Sequence, residues 1–308
     1  QDLDLGFAGK MGFMSTSKIG LFGVGLMGHG IAINLLRHGH DLMVFDHPGN
    51  QPIDDLLQGG ARASADSAAL AQHAELLILC VTGSPQVEAI LSGPSGVLPH
   101  LRAGALVIDC STSIPNSTEQ MAQKVQQAGG RFIDAPMTRL PKDAAAGRLN
   151  LLVGGDAADF ERALPVLRCF AENITHVGPI GAGHRMKLLH NYVSLGSAAL
   201  IAEAAACARL GGIEAQVLVD VLAKGGGGGA ALERMRPHLL QGDPSGLQFT
   251  LSNALKDLSY YNTMAEQAGA ERQIAQAVAL TLRMATEQGN PQAFVPELVE
   301  SLIRRHQP

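Results

Sequence analysis

The chain has no basic run of the kind that tracks a phosphate backbone. Its 23 Lys and Arg stand against 28 Asp and Glu, giving a formal charge of −5 and a pI near 6.1. Nucleic-acid domains concentrate positive charge on one surface, so this balance excludes a nucleic-acid partner from the expected functions. Cysteine is sparse: Cys80, Cys110, Cys169 and Cys207 lie far apart, form no CxxC, and three of them sit in apolar runs where a thiol behaves as a small hydrophobe. Reduced, structural thiols are expected. No charged n-region, apolar h-region and cleavage site follow one another at the start, which makes the cytoplasm the expected compartment. The longest apolar stretch, residues 194–210, is broken by Glu203 and flanked by Lys187 and Arg209. It falls short of the roughly 20 clean residues that a membrane span needs, so it reads as a buried helix and no membrane partner is expected. Nor do the histidines offer a ligand set. His38 and His40 flank a turn glycine without a carboxylate partner, and no metal is expected. Residues 1–14 lack periodicity and contain two alternative start methionines, Met11 and Met14; they read as a tail or expression remnant.

What is present is a chain of 308 residues, 46% hydrophobic and 17% charged, long enough for two domains with substantial cores. A short apolar run at residues 18–22 leads into Gly23-Val24-Gly25-Leu26-Met27-Gly28. Apolar residues then recur at helical spacing to Arg37, and a second strand runs from Asp41 to Asp46. Strand, glycine turn, helix, and strand ending in an acid is the context that a dinucleotide fingerprint requires. Gly23 makes the tight turn, Gly25 lets the backbone approach a pyrophosphate, and Gly28 lets helix and strand pack closely. Leu26 and Met27 lie in the first turn, where unpaired N–H groups favour negative charge. Asp46 suits the adenosine ribose hydroxyls and repels a 2′-phosphate. The following His47-Pro48-Gly49 offers no arginine, so NAD is expected over NADP.

Unbroken apolar runs at residues 76–81 and 105–109, separated by helical windows at 85–91 and 117–128, look like parallel strands buried on both faces. Further strands are expected at 132–135, 149–153 and 174–177, with a helix at 157–170. From Gly178 onward the windows are Ala- and Leu-rich and helical. The expectation is therefore an α/β Rossmann-type N-terminal domain over residues 15–177, followed by an all-α C-terminal domain over 178–308. A five-glycine run, Gly225 to Gly229, is either a plain linker or a loop that moves over a ligand.

The residues with the most chemistry lie early in the long apolar helix. There Lys187, Asn191 and Ser194 fall at i, i+4 and i+7, stacking an amine, an amide and a hydroxyl on one face, with His190 beside Asn191. Burying an unpaired polar group costs roughly 2–7 kcal/mol, so these side chains have a use. A helical lysine that merely snorkels to solvent is the structural alternative.

Four blocks in order resemble the β-hydroxyacid dehydrogenase family, which includes 3-hydroxyisobutyrate dehydrogenase and tartronate semialdehyde reductase. They are residues 19–32 (IGLFGVGLMGHGIA), 109–115 (DCSTSIP), 181–191 (GAGHRMKLLHN) and 256–258 (KDL). The resemblance implies that Lys187 is the catalytic lysine, that Asn191 orients the substrate, and that Lys256 lies close to nicotinamide and substrate. It further implies that Thr112 and Val81 touch the cofactor, with Ser111 nearer the substrate. Helix capping before Pro115 is the structural alternative for Ser111 and Thr112. Where family members often carry Ser-Gly-Gly, this chain reads Thr138-Arg139-Leu140. That departure resembles the branch of sulfolactaldehyde and succinate semialdehyde reductases, and implies a small anionic aldehyde or hydroxy acid as substrate, with Arg139 and Thr138 holding its acid group. The functional rivals are a 3-hydroxyisobutyrate or tartronate semialdehyde type dehydrogenase, a phosphogluconate-type decarboxylating enzyme, an imine reductase and a non-catalytic NAD-binding sensor. Too short a helical domain disfavours the second of these, and Lys187 the third. An apolar helix of this length must be covered, so a homodimer or homotetramer is expected.

Overall fold

The computed structural model describes residues 16–304; the expected tail, residues 1–14, lies outside them. The glycine turn is flanked as expected by β1 (Lys18–Phe22), α1 (Leu26–Arg37) and β2 (Asp41–Phe45). Three short pieces follow that the hydrophobic pattern does not reveal: α2 (Asp54–Gln58), β3 (Arg62–Ser64) and α3 (Ser67–His73). Segments this short complete too few periods to register in sequence. Next come β4 (Leu76–Leu79), α4 (Ser84–Ser92), β5 (Leu106–Asp109), α5 (Pro115–Gln127) and β6 (Arg131–Asp134). Two more unannounced pieces, β7 (Met137–Thr138) and α6 (Pro141–Ala145), precede β8 (Leu149–Gly154), α7 (Ala157–Leu167) and β9 (Ala171–Gly178).

The strands form one sheet in the order β3-β2-β1-β4-β5-β6-β8-β7, with β9 paired to β8. Every pairing from β3 through to β6 is parallel, and β4 and β5 are buried at every residue because helices cover both faces. The uniform parallel sheet implied by the apolar runs ends there. β8 meets β6 antiparallel through Gly154 and Asp134, and β7 is antiparallel to β8. Strand order reverses beside β1, which lies between β2 and β4, so a crevice opens past the carboxyl ends of β1 and β4, where doubly wound sheets take their ligands.

Beyond Gly178 the chain is helical: α8 (Ala182–Leu210), α9 (Ala215–Lys224), α10 (Ala230–Gln241), α11 (Leu251–Gln267), α12 (Gln273–Gln288) and α13 (Leu298–Arg304). The 29 residues of α8 form the spine. Its buried Ala198, Ala199, Ala202, Ala205 and Ala206 let neighbouring helices approach closely, and Leu232, Met235, Leu251, Leu258 and Leu282 complete that core. The glycine run joins α9 to α10.

Candidate active site

At the end of β1 the chain turns at Gly23, whose φ is +91° and where a Cβ would lie 2.2 Å from the Cys80 carbonyl oxygen. A Cβ on Gly28 would lie 1.9 Å from the Gly23 carbonyl oxygen, so helix and turn interlock only without side chains. Gly25 is glycine for a different reason. A Cβ there would meet nothing within 4 Å, and α1 starts at Gly25 without a side-chain cap. Free N–H groups around Leu26 and Met27 therefore face open space, a cradle that fits a pyrophosphate. Asp46 is exposed directly after β2, where a ribose would extend. Past β4, the Val81 N–H donates to Ser111 Oγ (3.1 Å), tying together the two strand ends that line the crevice. Ser111 is buried and Thr112 half-buried. Neither caps α5: the cap position is Ile114, whose N–H donates to Ser84 Oγ.

The chemistry-bearing face of α8 is held from the opposite domain. Asp134, fully buried at the end of β6, accepts from the N–H groups of Gly181 and His184 (both 2.8 Å), so a carboxylate from the sheet caps this helix. Burial pushes the Asp134 carboxyl above its usual range. His184, also fully buried, donates from Nε2 to the Ser111 carbonyl (3.0 Å), and its Nδ1 sits 2.7 Å from Thr118 Oγ1. The loop of Ser111 and Thr112 is thereby locked to α8 one turn before Lys187. His184 and Asp134 were missed in sequence, although His184 lies inside the glycine-rich block that leads to Lys187.

Lys187 itself is buried. Desolvation lowers its pKa to about 8; Lys256 and Arg234 add to the lowering, while Asp257 opposes it. Asn191 is buried beside it and donates from Nδ2 to Asp257 Oδ2 (2.6 Å). Its Oδ1 meets His190 Nδ1 at 2.9 Å, so the amide is oriented from both ends. Burial lowers the His190 pKa and favours the neutral ring. Ser194 lies half-buried two turns beyond Lys187. On α11, Lys256 Nζ donates to the Thr82 carbonyl (2.6 Å), lies 3.0 Å from Asp257 Oδ1, and stands 5.2 Å above the Tyr260 ring. The helical domain thus closes on the loop after β4 with a lysine whose charge also reaches Lys187. Asp257 and Arg234 had no role assigned from sequence; the first was visible only as the middle of the KDL block, and the second carried no signal.

At the edge of the sheet Arg139 Nη1 is bound to the Glu172 carboxylate and to the Arg148 carbonyl. Among the described residues it is the one non-glycine with positive φ, at +81°, because it occupies the family's glycine position in the turn between β7 and α6. Thr138 is half-buried and accepts from Asn150 Nδ2 (3.2 Å). Of the cysteines, Cys110 and Cys169 are buried and Cys80 half-buried, with burial holding all three thiols well above their ordinary range; Cys207 is exposed on α8.

Residues 18–178 match the model of the NAD binding domain of 6-phosphogluconate dehydrogenase, and residues 181–302 match that of the NAD-binding domain of NADP-dependent 3-hydroxyisobutyrate dehydrogenase. The chain is 35% identical over 252 residues to the 3-sulfolactaldehyde reductase of Escherichia coli K12, covering 82% of this chain and 84% of that protein. The chain belongs to the β-hydroxyacid dehydrogenase family. Another member, the NAD-dependent L-serine dehydrogenase of Pseudomonas aeruginosa, is 36% identical over 220 residues, 71% of this chain and 74% of its own. Among solved structures, Mycobacterium tuberculosis 3-hydroxyisobutyrate dehydrogenase with L-serine superposes with a TM-score of 0.83 at 26% identity, covering 93% of this chain and 99% of that one. As a β-hydroxyacid dehydrogenase the protein is an enzyme that works with a nicotinamide dinucleotide, NAD(P).

Proposed function

We propose that this enzyme interconverts a small acidic aldehyde and its hydroxy acid with NAD(H), using Lys187 as the general acid and base. The observation that carries this reading is a buried lysine with a pKa of about 8, on one helix face with Asn191 and among the charges of Lys256, Arg234 and Asp257. Bound NAD(H) supplies the hydride that passes to or from the carbonyl carbon. In reduction the Lys187 ammonium gives its proton to the oxygen as the carbonyl becomes an alcohol; in oxidation the neutral amine takes that proton back. General acid–base help of this kind contributes roughly 10²–10⁴ in rate, and a pKa near the working pH lets one group serve both directions. Asn191 would orient the substrate oxygen, and the hydroxyls of Ser111, Thr138 and Ser194 would be further contacts for the substrate.

Gly23, Gly25, Leu26, Met27 and Gly28 would hold the pyrophosphate, Asp46 the adenosine ribose, and Val81, Thr112 and Lys256 the nicotinamide half. Asp46, without a following arginine, supports NAD over NADP. We further propose a soluble, cytoplasmic homodimer or homotetramer. The outward face of α8 exposes Met186, Leu189, Val193, Leu200 and Leu210, which supports pairing with a second copy. Among the described residues α8 is the one helix long and apolar enough to cross a membrane, but Lys187 and Asn191 on it are buried within the protein.

The test is NADH oxidation with short aldehydes bearing a carboxylate, a sulfonate, a phosphate or no charge, alongside NAD reduction with 3-hydroxyisobutyrate and L-serine. Turnover of carboxylate or sulfonate aldehydes at least tenfold above the uncharged ones supports the proposal. A preference for 3-hydroxyisobutyrate or L-serine would move the substrate to those branches, and binding of NADH without turnover of any compound would make the protein a sensor.

A further inference from the structure

We propose that Tyr260 on α11 is a positioning residue that sets the spacing of the two domains at the nicotinamide end of the crevice, and that Gly83 is glycine to admit it. The inference rests on the reading that Val81, Thr112 and Lys256 face the nicotinamide half of the cofactor. Gly83 is buried and fully extended, with φ 178° and ψ −170°, so its own backbone gives no reason for glycine. The reason comes from the other domain. A Cβ at Gly83 would lie 2.4 Å from the Tyr260 hydroxyl oxygen and 3.2 Å from two carbons of its ring. The tip of the Tyr260 ring thus takes the place of a side chain on the loop after β4.

One turn earlier on α11, Lys256 donates to the Thr82 carbonyl (2.6 Å) and stands 5.2 Å from the centre of the same ring. Two adjacent residues of the loop are therefore held from two adjacent turns of one helix. Both flanks of this loop are tied to the loop after β5: the Val81 N–H donates to Ser111 Oγ (3.1 Å), and Ser84 Oγ accepts from the Ile114 N–H (2.8 Å). Residues 81–84 and 111–114 form one wall of the crevice, and Tyr260 rests on it. Burial pushes the Tyr260 phenol above its ordinary range, so the ring stays neutral and packs as a spacer. That wall belongs to the sheet domain, whereas Lys187 and Asn191 lie on α8 of the helical domain. Where α11 rests on Gly83 sets the gap between them, and reacting atoms must come within about 3–3.5 Å of each other.

The experiment compares the wild type with Gly83→Ala, Tyr260→Phe, the double variant and Tyr260→Ala. Affinities for NADH and for ADP-ribose, which lacks the nicotinamide, are measured by calorimetry, and kcat is measured for reduction of succinate semialdehyde. In Gly83→Ala the added methyl forces Tyr260 off the loop, and kcat is expected to fall by about 10–100-fold, the scale of an ångström's misplacement. NADH affinity should fall by roughly tenfold while ADP-ribose affinity is kept, because the adenosine half is held at Asp46 and the glycine turn. Tyr260→Phe removes the atom nearest the new methyl and leaves ring carbons 3.2 Å away, so the Gly83→Ala losses in kcat and NADH affinity should largely disappear in that background. Tyr260→Ala adds nothing to the loop and should show the same split between NADH and ADP-ribose, which decides the matter if Gly83→Ala does not fold. Equal losses of NADH and ADP-ribose affinity, an NADH affinity unchanged in Tyr260→Ala, or a Gly83→Ala penalty undiminished by Tyr260→Phe would overturn the assignment. If the split in affinity and its rescue appear but the aldehyde is not reduced, the brace stands and the proposed reaction falls.

Discussion

Replacing Lys187 by methionine separates chemistry from stability, since the lysine is useful to the first and harmful to the second. Its pKa is about 8 in the folded protein against 10.5 for an ordinary lysine. That gap of about 2.5 units, at ~1.4 kcal/mol each, corresponds to roughly 3 kcal/mol by which holding the buried ammonium destabilises the fold at pH 7. Below pH 8 both folded and unfolded chains carry the proton and the penalty is complete. Between about pH 8 and 10.5 the unfolded chain keeps the proton that the folded one has released, so stability rises with pH. Above that window the penalty is gone. Methionine keeps an unbranched chain and removes the charge. Lys187→Met should therefore gain up to ~3 kcal/mol at pH 7, a rise of about 6–12 °C in Tm for domains of this size. At pH 10 the gain should shrink to below ~1 kcal/mol. The same variant should lose roughly 10²–10⁴ in kcat with its NADH affinity nearly unchanged. Urea midpoints at pH 7 and 10, NADH binding and NADH turnover measure all of this. A variant less stable than wild type at pH 7, a gain that does not narrow with pH, or a kcat above one third of wild type would refute the reasoning.

The reductive kcat/KM should be flat below about pH 8 and decline above it as Lys187 loses its proton, with the oxidative direction rising through the same range; a reductive rate still climbing at pH 9.5 would exclude Lys187 as the acid. Asp46→Ser should weaken NADH use and narrow its advantage over NADPH, because a close like-charge contact with the 2′-phosphate is lost; a wild type that already prefers NADPH contradicts this role. His184→Ala should leave the Ser111 carbonyl without its buried donor and cost about 1–3 kcal/mol. A Tm equal to wild type would show that His184 locks nothing.

Much of this architecture was legible before any coordinates. Each glycine of the first turn, the strand that ends in Asp46 and the helical rise through Lys187, Asn191 and Ser194 follow from local rules of turn sterics and periodicity, and those rules operate within about a dozen residues. The short α2, β3, α3, β7 and α6 obey the same rules over too few residues to be seen, and the antiparallel β7 and β8 depend on pairing partners rather than on their own pattern. Site residues divide in the same way. Lys187 and Lys256 stand in recognisable blocks, but nothing around Asp134 marks it as the cap of the helix that carries Lys187, because β6 and α8 meet only in the folded chain.

The sequence by itself determined a nucleotide-binding α/β domain, a helical second domain and an amine on a helix face, since backbone geometry and hydrophobic period are properties of contiguous residues. Only the tertiary structure decided what that amine is. Burial between domains brings its pKa to about 8, Asp134 and His184 fix the helix that carries it, and Asp257 opposes the lowering. It also decided what Arg139 touches. Glu172 is distant from Arg139 in sequence and meets it across the edge of the sheet, and desolvation and charge pairing of this kind exist only once the chain has closed on itself.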